Sequence, residues 1–310
     1  VDPAHAVRDL GVAEQQMVEI AKGVIGDARV FVFDEPTAAL SQAEVERLHA
    51  LIRRLRDAGR AVLYVSHRLE EVLSLSDLVT VMKDGEVVTA LDAGDATHDG
   101  LISLMVGREL SDLFPTRATR TGEPMLRVEG VSSPGLRGPV DLAVRRGEIV
   151  GLAGLEGQGQ QALIRAIYGD GPRAGSVRVD ERELPAGNIR RAIRAGLGLV
   201  PEDRKTEGIF PSLDVAANLL CVDYGLQSLW RPVARRQDVV RRIVERMRVQ
   251  AASVAQVVST LSGGNQQKLL LGRWAAARTG VLLCEEPTRG VDVGAKLEVY
   301  RLLRQMAEQG

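Results

Sequence analysis

An apolar stretch that ends in two acidic residues is the first place where this sequence could do chemistry. Residues 30–33 read VFVF, and Asp34 and Glu35 follow directly. In a parallel sheet, such a strand end lies where ligands usually bind. Phosphoryl transfer needs one carboxylate for Mg²⁺ and one group that orients or deprotonates water. The pair could instead cap the next helix, but Ser41 and Glu44 already supply a capping box there.

His67 follows the next apolar stretch, AVLYVS. A single histidine at the end of a strand is most often structural. Its position one strand after the acidic pair supports a second interpretation, because a histidine there could donate a charge-assisted hydrogen bond to a terminal phosphate.

The segment LSGGNQQK at 261–268 carries the most specific pattern. Ser262 is a good N-cap, and Gly263 and Gly264 let another backbone approach closely ahead of a helix. A helix that begins in this way presents free N–H groups and a partial positive charge to an anion. The alternative is an ordinary N-cap with a flexible segment before it.

The same pattern of residues, a signature-like helix start followed by a strand that ends in acidic residues, occurs twice in the chain at an offset of 251 residues. Residues 10–37 align without a gap with residues 261–288, so that Glu35 corresponds to Glu286. A period of this length is far too long for a solenoid and indicates a duplicated domain. The recurrence favours a functional interpretation of LSGGNQQK over an ordinary cap.

Each copy is expected to be incomplete. A glycine-rich loop occurs at 154–161 in the second copy, and its counterpart would precede the first residue. The counterpart of His67 would follow the last residue. We therefore expect a window from a longer tandem protein, with no signal peptide at its start.

Length and composition exclude several classes of protein. A chain of 310 residues suggests about two domains. The 40 basic and 41 acidic residues give a net charge of −1, which argues against a protein that coats nucleic acid. There is no apolar run of about 18 residues, so no membrane span is expected. Two cysteines cannot form a disulfide framework, which fits a reducing compartment.

The elements that position these residues alternate between strands and helices, which predicts an α/β fold with a buried parallel sheet. Residues 147–169 predict a strand, a glycine loop and a helix, and a helix-rich stretch covers 213–250. Hairpins are expected around Asp84–Gly85 and near Asp180. The segment TRATRTGEP at 116–124 is the predicted linker.

In this order, the LSGGNQQK segment, the two strand-end acidic motifs, the histidine and the glycine loop resemble the ATP-binding cassette (ABC) ATPases. Three further sequence segments carry a narrower resemblance: VPEDRKTEGIF at 200–210, PTRGVDVGAK at 287–296 and LMVGREL ahead of the linker. With the tandem arrangement, they are similar to the double-cassette ATPase subunits of bacterial importers of ribose, xylose, galactose and similar sugars.

The resemblance implies P-loop NTPase-like ABC nucleotide-binding domains in tandem. Each would have a parallel-sheet core, an antiparallel β subdomain and a helical signature subdomain. Residues 1–115 would be the C-terminal part of the first domain, from its signature past its histidine loop. Residues 125–310 would be the second domain without its C-terminal end.

The resemblance also implies roles for single residues. Asp34 would hold Mg²⁺ through water, Glu35 would be the general base and His67 would contact the γ-phosphate of ATP. In this family each ATP lies between the glycine loop of one cassette and the signature of the other. The signature residues that would close over the nucleotide are Ser262, Gly263, Gly264 and Asn265. Glu202 would lie where the family senses its permease.

The second copy departs from the family pattern in its glycine loop. Gly154, Gly157 and Gly159 are kept, but Gln160 replaces the lysine and Gln161 the Mg²⁺-binding hydroxyl. Each lost hydrogen bond from a cation to phosphate would cost about 1.5–3 kcal/mol.

Two further departures concern the same ATP site. Glu285 stands where the family has the metal-binding aspartate, beside Glu286. The first signature, LGVAE at 10–14, has lost its serine and both glycines. All these changes would fall on one ATP site. We therefore expect one competent and one degenerate site, and no meaningful ATPase activity from residues 1–310 alone.

The expected function is an ATPase that powers import of a simple sugar through an integral-membrane permease. Such a subunit would lie peripherally on the cytoplasmic face of the inner membrane. A secreted sugar-binding protein would be an indirect partner, and nucleic acid would not be one. The alternatives are a nucleoside importer ATPase, a soluble cassette ATPase acting on ribosomes or DNA, and a non-catalytic nucleotide-binding regulator.

Overall fold

The computed structural model describes residues 5–25, 28–37, 40–83, 85–106, 122–155, 157–226 and 233–309. The chain divides into two compact units, Val1–Leu113 and Phe114–Gly310. Most of the predicted linker, residues 116–121, lies outside the described residues, as does Asp84 of the first predicted hairpin.

The first unit joins a parallel strand pair to a separate hairpin. Its elements are α1 (Val12–Ile25), β1 (Val30–Asp34), α2 (Gln42–Asp57), β2 (Ala61–Val65), α3 (Leu69–Leu75), β3 (Leu78–Lys83), β4 (Glu86–Asp92) and α4 (His98–Val106). β1 and β2 are parallel, with Asp34 opposite Val65, and β3 and β4 are antiparallel, as predicted. The predicted capping box at the start of α2 is present, since the Ser41 backbone N–H donates to the Glu44 carboxylate at 2.8 Å.

Two apolar clusters hold the first unit together. The larger one, under β1 and α2, consists of Ile20, Phe31, Phe33, Leu40, Val45, Leu48 and Ile52. The other joins α3 and α4 to the hairpin through Leu69, Val72, Val79, Val81 and Leu101. Phe33, next to Asp34, belongs to the larger cluster and Tyr64 of β2 packs against it, so this packing holds the ends of both strands.

The second unit contains an antiparallel sheet, a parallel strand pair and a group of helices. Its elements are β5 (Pro124–Ser132), β6 (Val140–Arg145), α5 (Gln160–Tyr168), β7 (Ala174–Val179), β8 (Arg182–Glu183), α6 (Ile189–Arg194), β9 (Leu197–Val200), α7 (Val215–Leu226), α8 (Val233–Arg246), α9 (Gly263–Ala276), β10 (Val281–Cys284) and α10 (Val293–Glu308). The antiparallel sheet has the order β6-β5-β7-β8, and β9 pairs with β10 in parallel. No helix in the described ranges is long and apolar enough to cross a bilayer.

The two parallel strand pairs differ in how their faces are covered. In the second unit, Val281 and Leu283 of β10 are buried, because α5 packs against this strand. The corresponding residues of β1, Val30 and Val32, are 62% and 65% exposed. The prediction of parallel pairing is confirmed, but the prediction of a fully buried sheet is wrong for β1 in the described structure.

The predicted strand ahead of the glycine loop is also wrong. Residues 148–154 form no strand, and Ile149, Val150 and Leu152 are exposed. The physical reason is that no described strand offers this segment a hydrogen-bonding edge, and a strand without a partner is not stable in water. The helix predicted after the loop is present as α5.

Candidate functional site

The acidic pair of the first unit lies at the end of β1, next to the end of β2. The backbone N–H of Glu35 donates to the carbonyl of Val65 at 2.9 Å, which extends the ladder by one residue. Glu35 then adopts a left-handed conformation with φ of 47°. Such a conformation is uncommon for a residue other than glycine and occurs often at functional sites. It turns the chain at the residue predicted to be the general base.

The structure brings Glu35 and His67 together. Oε1 of Glu35 accepts a hydrogen bond from the backbone N–H of His67 at 3.0 Å. The imidazole Nδ1 lies 2.8 Å from Oε2. Oε2 is buried and has no aligned hydrogen-bond donor among the described residues. The backbone of His67 therefore anchors one carboxylate oxygen of Glu35, and the imidazole of His67 lies against the other.

Asp34 differs from Glu35 in its surroundings. Its side chain is exposed, and within the described part of the chain no ion pair or hydrogen bond involves its carboxylate. A free carboxylate at a strand end is the kind of oxygen ligand that Mg²⁺ prefers. The described residues of the first unit contain no cluster of three or more metal-ligating side chains, so Asp34 is the single predicted ligand for such an ion.

A buried carboxylate that the sequence did not single out supports this strand end. Glu71, in the first turn of α3, accepts from Thr37 Oγ1 at 2.8 Å, Tyr64 Oη at 2.6 Å and Arg68 Nη1 at 3.2 Å. Burial alone would raise the pKa of Glu71, but these donors outweigh it and lower that pKa. Glu71 therefore ties the loop after Glu35 to β2. Its sequence signal is weak, because an acidic residue in a first turn usually only complements the helix dipole.

Glu71→Gln is expected to remove part of the acid sensitivity of the first unit. The pKa of Glu71 is lowered in the folded state, so its ionised form stabilises the fold above the ordinary carboxyl pKa of about 4.3. That stability is lost as the pH falls from there through the folded-state pKa. Urea unfolding of native and variant chains across the acid range measures the effect. The neighbouring exposed Glu70→Gln should keep the native pH dependence, and an unchanged dependence in Glu71→Gln would contradict the assignment.

The glycine loop of the second unit is filled by its own side chains. Gly157 and Gly159 have φ of 77° and 104°, which glycine adopts readily, and α5 begins at Gln160. The Gln160 amide folds back onto the loop and donates to the Leu155 carbonyl at 3.3 Å. A position that would hold a phosphate-binding lysine is therefore engaged within the loop.

The next position is engaged as well. The Gln161 amide contacts the Glu202 carboxylate, which also forms an ion pair with Arg289. Glu202 thus links the start of α5 to the loop that follows β10. None of these groups offers the hydroxyl that binds Mg²⁺ in a working glycine loop.

Glu285, which corresponds to Asp34, is neutralised by an arginine. Arg165 of α5 binds it in a bidentate manner, with Nε 3.1 Å from Oε1 and Nη2 3.0 Å from Oε2. The Glu285 side chain has no exposed surface. Arg165 Nη2 also donates to Glu207 at 2.7 Å. Burial raises the pKa of the Glu285 carboxyl, and the guanidinium acts in the opposite direction.

The second unit does not fit a metal ion at this strand end. A cation already occupies the bidentate face of the buried carboxylate, and the described residues contain no cluster of three or more metal-ligating side chains. The sequence did not predict a role for Arg165, because its partner Glu285 lies 120 residues further along the chain. Glu286 keeps the same backbone as Glu35, with φ of 41°, but its side chain is exposed.

The two signature segments differ at the start of their helices. Ser262 caps α9, because its Oγ accepts from the Asn265 backbone N–H at 3.4 Å and from the Asn265 Nδ2 at 2.9 Å. The helix therefore begins at Gly263 with a serine cap. In the first unit, the Glu14 carboxylate accepts from the Gly11 N–H at 3.1 Å, so an acidic group already lies at the start of α1.

The predicted residues therefore form separate groups. Glu35 and His67 meet in the first unit, with Asp34 beside them. In the second unit, Gln161 meets Glu202 directly, while Gln160 turns back into its own loop and Glu285 pairs with Arg165. Ser262 and Asn265 form the helix start.

Comparisons with known proteins find relatives along the whole chain. Residues 138–289 match the ABC transporter family model. The ribose import ATP-binding protein RbsA 1 of Rubrobacter xylanophilus is 47% identical over 314 residues, which cover all of this chain and 63% of that protein. The arabinose import ATP-binding protein AraG of Chromohalobacter salexigens is 41% identical, with the same coverage. The chain thus spans less than two thirds of the length of these relatives.

Solved structures agree on the fold. A structure of RNase-L Inhibitor aligns with 97% of this chain and 57% of its own, with a TM-score of 0.61 and 20% identity. A dimeric ATP-binding cassette bound to ADP and Pi aligns with 60% of this chain and 84% of its own, with a TM-score of 0.52 and 20% identity. The predicted α/β fold is confirmed, and residues 138–289 form a domain of the ABC transporter family.

Proposed function

We propose that this chain is part of a tandem ATPase subunit that powers import of a simple sugar through a membrane permease. The observation that carries the proposal is the Glu35–His67 pair, in which the backbone N–H of His67 anchors one carboxylate oxygen and the imidazole lies beside the other. The ribose and arabinose importers named above support the class of transported substrate. Residues outside this chain would complete the ATP site, as the resemblance implies.

In this proposal Glu35 accepts the proton of the attacking water. The backbone N–H of His67 holds Oε1, which fixes the orientation of the carboxylate that would take this proton. The His67 side chain donates to the terminal phosphate of ATP. Asp34 holds Mg²⁺, which neutralises charge on the phosphate oxygens when it is bound. Glu71 holds the loop after Glu35 in place beside β2.

The signature residues from Ser262 to Asn265 are proposed to bind the phosphates of a nucleotide. Their contribution comes from the free N–H groups at the start of α9, which favour negative charge. Glu202 lies at the permease-sensing position, in the loop after β9. The protein would act at the cytoplasmic face of the membrane, with the permease as its direct partner and a secreted sugar-binding protein as an indirect one.

The second site is degenerate in this proposal. Gln160 and Gln161 provide neither cation nor hydroxyl, and Arg165 takes the place of a metal ion at Glu285. Glu286 therefore has no metal-bound nucleotide to act on. The site has a structural role, in which internal ion pairs replace the ligand.

Transport by the reconstituted system tests the proposal. The full-length protein, its permease and its binding protein would be placed in proteoliposomes, and uptake of labelled ribose, arabinose and a nucleoside would be followed. ATP-dependent uptake of a monosaccharide is the expected result. Uptake of the nucleoside alone would contradict the proposed sugar substrate and would make the protein part of a nucleoside importer. ATP hydrolysis without any coupled uptake would overturn the transport function.

A further inference from the structure

The loop after β9 contains an arginine that contacts three functional segments at once. Arg204 Nη1 donates to the carbonyl of Arg289 at 2.7 Å, and Nη2 donates to that of Gly290 at 2.7 Å. Its Nε donates to Gln266 Oε1 on α9 at 3.4 Å. The guanidinium therefore joins its own loop, the loop after the acidic pair of β10 and the start of the signature helix.

The acceptor on α9 is itself held in one orientation. Gln266 is buried, and its Nε2 donates to the carbonyls of Val258 at 3.2 Å and Leu261 at 3.1 Å. The amide oxygen is thereby turned toward Arg204.

The signature glycines lie directly against this contact. A Cβ at Gly263 would come within 2.6 Å of Arg204 Nη2 and 3.1 Å of the Gly290 carbonyl. A Cβ at Gly264 would come within 2.6 Å of Ala295 Cβ. The start of α9 is thus pressed against the loop after β10, and the Arg204 side chain fills the remaining space.

The segment that carries Arg204 contacts α9 at both ends. Residues Arg204–Gly208 form a single π-helical turn, whose start is capped by the Asp203 carboxylate accepting from Lys205 at 2.9 Å. Such turns are rare and frequent at functional sites. At the other end, Arg273 of α9 donates to the carbonyl of Gly208. A displacement of this turn would therefore change its contacts with α9.

We propose that Arg204 is a positioning residue that holds the signature segment 262–265 in place and couples it to the loop containing Glu202. The inference rests on the proposed function, because that assigns phosphate binding to the signature and permease contact to the loop. A lysine cannot replace Arg204, since only the planar guanidinium reaches two adjacent carbonyls and a side-chain amide together.

The test compares Arg204→Lys with the native full-length protein and its permease. We expect ATP turnover to fall about tenfold, equivalent to about 1.4 kcal/mol, while the Kd for ADP changes by less than about twofold. Hydrogen exchange of peptide 258–268 should become faster, and that of the strand 281–284 should not change. Arg241→Lys, at an exposed arginine on α8 that pairs with Asp238, is the matched control and should behave as the native protein.

Three outcomes would overturn the inference. The first is native turnover and native exchange in Arg204→Lys. The second is faster exchange spread evenly over the second unit with a lower melting temperature, which indicates a general loss of stability. The third is an unchanged kcat with a raised KM for ATP. If the native protein itself shows no Glu35-dependent turnover, the proposed function fails, and hydrogen exchange alone then decides whether Arg204 holds the signature.

Discussion

Glu35→Gln in the full-length protein is expected to lower ATP turnover by about 10²–10⁴-fold, the usual contribution of a general base. The amide keeps the shape of the side chain and still accepts from the His67 N–H, so the strand end is preserved. What is lost is the oxygen that takes the proton of the attacking water. Steady-state phosphate release by the purified protein with its permease measures the effect.

A matched substitution separates chemistry from folding. Glu19 is an exposed glutamate on α1 that pairs with Lys22, and Glu19→Gln should retain native turnover. The Glu35 variant should also keep the native melting temperature and its affinity for ATP. Turnover within about tenfold of native in Glu35→Gln would be too high for loss of a general base and would contradict the assigned role.

Arg165→Ala is expected to destabilise the second unit by about 3 kcal/mol or more. The substitution leaves the Glu285 carboxylate buried without its cation, and removing one partner of a buried pair is strongly destabilising. Glu207 would lose a hydrogen bond of 2.7 Å as well. Urea unfolding monitored by fluorescence of Trp274, a buried residue of this unit, measures the change.

Removing both partners should restore much of that stability. In Arg165→Met with Glu285→Leu, no unpaired charge remains in the core, so the loss should be well below that of Arg165→Ala. Arg241→Ala, at an exposed arginine on α8, should change stability by less than about 0.5 kcal/mol. An Arg165→Ala variant as stable as the native chain would show that the Arg165–Glu285 ion pair does not stabilise the second unit.

Much of the site could be predicted from the sequence because its motifs are local. The strand that ends in Asp34 pairs with the next strand along the chain, and the serine cap of α9 depends on neighbouring residues only. The internal repeat added the correspondence between Glu35 and Glu286, which the structure reproduces in their left-handed backbones. The sequence segments at 200–210 and 287–296 indicated the family through their resemblance to its members.

The remaining features depend on contacts that the sequence does not record. Arg165 and Glu285 lie on elements 120 residues apart, and Glu71 gains its importance only when β2 packs beside the loop after β1. The missing strand at 148–154 has the same cause, because an apolar pattern predicts a strand but not the presence of a partner edge. Local propensity is a weak guide where tertiary pairing decides.

The unequal roles of the two strand-end glutamates are the central claim, and turnover of Glu286→Gln tests it most directly. Assayed beside Glu35→Gln in the full-length protein, Glu286→Gln is predicted to keep turnover within about twofold of native, because no metal-bound nucleotide is within its reach. A loss as large as that of Glu35→Gln would show that both sites hydrolyse ATP and would contradict the account.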